Sequence, residues 1–171
     1  LTCAHPEWLD SYAALIEQQL PTFEYMAELI FDLPGAYVDH INFAYTPPHR
    51  TMIHNRWGRS LHLTGLTVNP LWERWEYTRD ETWLRRVYPF LRGAAVFYSA
   101  FMDKYFDAMG GQIGPSMWSE GPGWMPDFKE NMNLENDLLF FRKTMQRACE
   151  AAEVLNEDGE ARQRWKANAD R

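Results

Sequence analysis

The chain has 171 residues, 46 % of them apolar and 15 % aromatic. That suffices to bury a core and is too hydrophobic for a disordered segment. Net charge is −7, and the 17 basic residues are scattered among 24 acidic ones, so there is no basic stripe for nucleic acid; nor is there an apolar run long enough to span a membrane.

Taken in order, residues 8–20 and 21–33 read as two consecutive helices, with Pro21 at the first position of the second, where its missing N–H costs nothing. Residues 34–59 show no periodicity and read as a long loop. Residues 60–77 form a weaker helix with Leu61, Val68, Leu71, Trp72 and Trp75 on one side and Pro70 disturbing it. Thr78-Arg79-Asp80-Glu81 has the form of a capping box, which predicts a helix starting near Asp80. Its stripe is Trp83, Val87, Phe90, Ala94, Phe97, Phe101 and Tyr105, one face of a 3.6-residue period. Pro89 should kink or divide it, and Gly110-Gly111 should end it.

A second loop covers 110–132. Then Leu134, Leu138, Phe141, Met145, Ala148, Ala152 and Leu155 mark a long helix, with Glu135, Arg142, Lys143, Gln146 and Glu153 on its solvent side. Asn133 suits its N-cap, and Asn156-Glu157-Asp158-Gly159 its stop. A short amphipathic tail closes the chain. Alternation of period two is absent. The expectation is an all-α protein of about six helices in antiparallel pairs, with its informative residues on two long loops, since structureless connections of that length are usually functional.

The stretch GPSMWSEGPGW, residues 114–124, places Glu120 between Trp118 and Trp124. For an arbitrary Glu the default is a solvated carboxylate. Aromatic walls offer an alternative: they exclude water, raise the carboxyl pKa and let it donate a proton near neutrality. The first loop carries Asp39, His40, Asn42, His49, His54, Asn55 and Trp57, and His62 follows closely. Their spacing fits no paired-ligand pattern, so no metal and no other cofactor is expected; hydrogen-bonding groups around a polar pocket, or plain loop polarity, account for them. Asn131 and Asn133 are read as a helix start. Trp72, Trp75 and Trp83 sit at core spacing and are read as packing. Cys3 and Cys149 form no zinc-knuckle spacing, and neither a phosphate loop nor a nucleophile elbow is present.

The run PLWERWEYTRDETWLRRVYPFLRGAAVFYSAFM resembles the glycoside hydrolases built on an (α/α)6 toroid. It is most similar to family 95, the inverting α-L-fucosidases and α-L-galactosidases. The likeness lies in Trp72 to Tyr77, then Thr78-x-Asp80 with Trp83-Leu84, Tyr88-Pro89, and Gly93 to Tyr98. Downstream, Pro115-Ser116-Met117-Trp118-Ser119-Glu120-Gly121 resembles the family's Pro-Ser-x-Ser-Pro-Glu-Asn, one residue shorter and lacking the Asn. Upstream, LPGAYVDHINF resembles the stretch leading to an active-site His and Asn. The family's Asn-x-Asn element has no counterpart in place, and neither has its catalytic Asp.

The resemblance implies that residues 1–171 are one partial catalytic domain, about half of a toroid and a segment of something longer. It implies that Glu120 is the general acid of an inverting mechanism, with Trp118, Trp124, His40, Asn42, His54 and Trp57 as substrate-binding residues. The implied partner is an oligo- or polysaccharide, and the implied parent is secreted or periplasmic. A half-ring would leave apolar helix faces uncovered, which predicts self-association into a homo-oligomer. Two other readings stay open: a non-catalytic carbohydrate-binding domain and a helical interaction module.

Overall fold

The computed structural model describes residues 5–39, 60–112 and 135–171. Among them the regular elements are helices: α1 (Leu9–Phe31), α2 (His62–Thr78), α3 (Glu81–Phe101), α4 (Glu135–Leu155) and α5 (Gly159–Ala169). A 3-10 turn at Pro6–Trp8 precedes α1, and a π-helical turn at Met102–Phe106 extends α3. No helix among the described residues is long and apolar enough to cross a membrane.

The two helices expected over 8–33 are one, with Pro21 inside α1. Pro70 and Pro89 likewise lie within α2 and α3 without dividing them. A proline removes the N–H that would reach the carbonyl four residues back. Here the residues owning those carbonyls are Glu17, Leu66 and Arg85, all exposed, so water can take the freed acceptors. The buried stripe meanwhile crosses Pro21 unbroken, through Ala13, Ile16, Phe23, Met26 and Ala27. Continuous packing offsets the lost bond, and six expected helices become five.

The capping box is also corrected. Asp80 itself is the N-cap of α3, its carboxylate accepting the Thr82 N–H at 2.8 Å. Thr78 belongs to α2, where its hydroxyl donates to the Arg74 carbonyl at 2.8 Å, and Arg79 closes α2 in the left-handed conformation, φ 52°. The predicted stops hold at Gly110 and Gly111, φ 70° and 80°, and at Asn156 and Asp158, φ 57° and 48°. Asn133 lies outside the described residues.

Contacts fix the helix directions. Tyr12 reaches Thr67 while Arg74 reaches Asp10, so α1 and α2 are antiparallel. Trp83 bonds Leu71 and Tyr98 bonds Leu61, reversing α3 against α2. Tyr98 stacks on Phe141 while Arg85 pairs with Glu157, reversing α4 against α3. Arg142 meets Ala169 and Cys149 meets Arg162, reversing α5. Alternate helices therefore run the same way, as in part of an α/α toroid.

At the core, α3 buries its predicted stripe from Trp83 to Phe101 and also a second one, Leu84, Tyr88, Leu91, Ala95 and Tyr98, while Tyr105, the last residue of the predicted stripe, is half-buried in the π-helical turn. Trp72, Trp75 and Trp83 are buried packing residues as expected. Leu138 is the exception on the α4 stripe, being exposed.

One consequence positions the site. α1 and α3 finish at the end of the bundle where α2 and α4 begin: the Phe31 ring lies 5.3 Å from Phe97, and His62 Nδ1 lies 3.3 Å from Asp137 Oδ1. Segments 40–59 and 113–134 thus attach at one end of the helix pack. The short links 79–80 and 156–158 lie at the other.

Candidate functional site

The chain leaves α1 along a path set by backbone chemistry. Asp32 turns left-handed, φ 52°, and Lys104 Nζ caps the helix end, donating to the carbonyl of Asp32 at 3.0 Å and to its carboxylate at 2.8 Å; a cation there also complements the helix dipole. At Gly35, φ +96°, a Cβ would stand 2.4 Å from the Phe97 nitrogen and 2.5 Å from the Gly93 oxygen, so only glycine fits. Ala36 N–H donates to Gly93 O at 2.8 Å, Tyr37 N–H to Phe23 O at 3.0 Å, and Val38 N–H to Thr64 Oγ1 at 2.9 Å. These bonds tie residues 33–39 to three helices and bury Tyr37, Val38 and Asp39.

The first turn of α2 is held from two sides. From α3, the Tyr98 hydroxyl accepts the Gly65 N–H at 2.8 Å and donates to the Leu61 carbonyl at 2.7 Å. From α4, Asp137 meets His62 at 3.3 Å, and Phe140 fills the notch left by Gly65, where a Cβ would lie 2.6 Å from the Phe140 Cβ. The result is a buried polar cluster of two carboxyl groups, an imidazole and two phenols: Asp39, Asp137, His62, Tyr37 and Tyr98, with Ser60 and Thr64 beside them.

Burial first, and then the charge of Asp39, push the Tyr37 phenol well above its ordinary range; Asp137 adds to the effect. Burial does the same to Tyr98. Both phenols therefore keep their protons throughout the working pH range and act as hydrogen-bonding groups rather than bases.

Glu120, Trp118, Trp124, His40, Asn42, His54 and Trp57 all lie outside the described residues, as do His49, Asn55, Asn131 and Cys3. What is described is their frame: Asp39 immediately before the first segment, Ser60 immediately after it, and Asp137 in the first turn of α4 after the second. Among the described residues, no group of three His, Cys, Asp or Glu side chains is placed to hold a metal. Sequence reading noted Asp39 and His62 and missed Tyr37, Tyr98 and Asp137. Asp137 carried a usable signal: it sits four residues before Phe141, so the apolar stripe of α4 opens on a carboxylate.

No curated protein and no solved structure matches the chain. A family match does exist, to the glycosyl hydrolase family 95 catalytic domain, over residues 2–171. With nearly the whole chain covered and the described residues all-helical, the protein belongs to glycosyl hydrolase family 95 by its catalytic domain.

Proposed function

We propose that this domain is part of a glycoside hydrolase that cleaves glycosidic bonds with inversion, using Glu120 as general acid. The observation that supports it is topological: the described residues flanking both segments lie at the same end of the bundle, where Tyr37, Asp39, His62, Asp137 and Tyr98 cluster. Family membership makes carbohydrate the substrate class.

In this reading Glu120 protonates the departing glycosidic oxygen, while a second carboxylate, roughly 6.5–9.5 Å away, activates water on the opposite face of the sugar. Trp118 and Trp124 keep the acid dry and so protonated near neutral pH. His40, Asn42 and His54 bond sugar hydroxyls, and Trp57 packs on an apolar sugar face. Residues 1–171 act as one structural unit, part of a toroid. Exposed Leu138 and Leu139 on α4 support self-association, which sedimentation equilibrium would test and a stable monomer would remove.

The experiment is a screen of aryl glycosides, α-L-fucosides and α-L-galactosides included, with the first-formed anomer read by proton NMR. Glu120→Gln should lower kcat by about 10²–10⁴-fold while sugar affinity persists. A retained anomer sinks the inverting mechanism, and unchanged kcat in the variant sinks the assignment of the acid. Sugar binding without turnover by the unsubstituted protein would favour the non-catalytic reading.

A further inference from the structure

Asp137 is fully buried (0 % exposed) in the first turn of α4, and His62, its side chain 12 % exposed, opens α2. They lie 3.3 Å apart, an ion-pair distance without hydrogen-bond geometry, and neither oxygen of Asp137 has a hydrogen-bond partner among the described residues. A buried carboxyl group is costly unless something meets it, so a merely structural helix start would not retain one here. Leucine would fill the space without that cost.

The rest of the contact shows what the pair does. Counted along both helices, His62 meets Asp137, Gly65 meets Phe140, and Asn69 bonds Arg147. α2 and α4 therefore run side by side in a fixed register, and the carboxyl–imidazole contact is its first rung. That rung stands where residues 40–59 enter α2 and residues 113–134 enter α4.

We infer that Asp137 and His62 are positioning residues, a buried clasp that locks the first turns of α2 and α4 together and so holds Ser60 and Glu135, the ends at which the two long segments rejoin the helices, in fixed relation. The inference rests on the glycosidase reading for its catalytic consequence. Neither side chain is assigned a role in bond cleavage. Misplacement of catalytic groups by about 1 Å can cost on the order of 10²-fold in rate, so the clasp is read through kcat.

The test compares His62→Asn, His62→Leu and the double variant His62→Leu/Asp137→Leu. Asparagine places an N–H donor where Nδ1 stands, so His62→Asn should keep kcat within about threefold, a rescue that a role for Nε2 would forbid. The double variant removes both polar groups of this contact together and so avoids leaving one of them buried opposite an apolar side chain; its Tm, measured alongside, should stay within about 4 °C of the unsubstituted protein. Its kcat should nevertheless fall about 10- to 100-fold, with KM changed by less than about threefold.

Hydrogen exchange supplies a readout that needs no turnover: in the double variant, amides of the first turns of both α2 and α4 should exchange faster together. Unchanged kcat in the double variant, or loss in His62→Asn equal to that in His62→Leu, overturns the clasp and leaves the glycosidase reading intact. If the unsubstituted protein cleaves no glycoside, the functional reading fails first. Exchange then decides the clasp by itself, and unaltered protection in either first turn refutes it.

Discussion

Tyr98→Phe removes one oxygen atom from the most constrained point of the fold. The hydroxyl is buried, accepts the Gly65 N–H at 2.8 Å and donates to the Leu61 carbonyl at 2.7 Å. Each such bond contributes about 1 kcal/mol net, and each backbone group left orphaned in the core costs about 1–3 kcal/mol. Leu61 and Gly65 stand four residues apart, so after substitution their N–H and C=O can close on each other as an ordinary helical bond. That places the loss near the lower bound, about 2 kcal/mol. The ring itself remains stacked on Phe141 at 4.0 Å, so no packing is lost. For a domain of this size, 1 kcal/mol moves Tm by about 2–4 °C, and the variant should melt about 4–8 °C lower by far-ultraviolet circular dichroism. Tyr105→Phe is the control: its hydroxyl donates to Phe31 O at 2.7 Å in a half-buried setting, next to exposed Lys104, and its loss should cost no more than about 1 kcal/mol. Equal losses in the two variants, or less than about 0.5 kcal/mol in Tyr98→Phe, would refute the account of that hydroxyl as a bridge pinning α2.

The same buried phenols make stability depend on alkaline pH. Tyr37, Tyr98 and Tyr88 are all pushed above the ordinary value of 10.0, chiefly by burial. Their contribution is complete below pH 10 and declines as pH rises, because the unfolded chain loses protons that the fold retains; each group adds a slope of about 1.4 kcal/mol per pH unit. Urea titrations from pH 9 to 11 should show it, and a flat profile would contradict the burial of these hydroxyls. Gly35→Ala should cost about 3–5 kcal/mol, from a left-handed backbone plus contact with two backbone atoms; a Tm within 2 °C of the unsubstituted protein would rule out the close approach to α3. Asp158 accepts from the Tyr88 hydroxyl at 2.6 Å and from Arg92 Nε at 2.9 Å. Partial burial raises its pKa, but Tyr88 and Arg92 outweigh that and hold it below the usual range. Its stabilising charge is present above about pH 4 and lost as pH falls further. Asp158→Ala should cost about 2 kcal/mol at pH 7, and the gap to the unsubstituted protein, measured by denaturant titration, should narrow toward pH 2; a constant gap would point to backbone strain alone.

Helix existence was legible because long apolar stripes with a 3.6-residue period leave little choice, as the α3 run from Trp83 to Phe101 illustrates. What periodicity could not reveal was the fate of the prolines. Whether Pro21 divides a helix depends on whether the carbonyl four residues back faces solvent and whether packing continues past it, and both are tertiary facts. The capping box misled for a related reason: Thr78 was already committed to α2, leaving Asp80 to cap alone. At the site, Asp39 and His62 could be picked out as polar residues near a long loop, but their burial could not. Tyr98 hid within an aromatic stretch that reads wholly as packing, and its hydroxyl matters only because α2 begins opposite it. Asp137 was the one member with a local signal, a carboxylate on an apolar stripe.

The separation of long and short connections between the two ends of the bundle has an energetic basis. Closing a loop costs only about 0.6 kcal/mol more for each doubling of its length, so a long connection burdens a fold little once its ends are fixed. The demand falls on those ends, since a long segment can place a side chain reproducibly only if its anchors do not move. Here the anchors are made of groups that are expensive to disturb: a glycine with no room for a methyl group, a phenol inserted at a helix start, and a carboxyl group buried against an imidazole. At the opposite end, where Arg79 and Asp80 suffice to turn the chain, the helices meet through exposed ion pairs such as Arg79–Glu150 and Arg85–Glu157, each worth at most about 1 kcal/mol. Asp158, bonded to Tyr88 and Arg92, is the stronger contact at that end. Substitutions in the exposed ion pairs should accordingly alter stability a little and catalysis not at all, whereas equally conservative ones in the cluster should alter kcat.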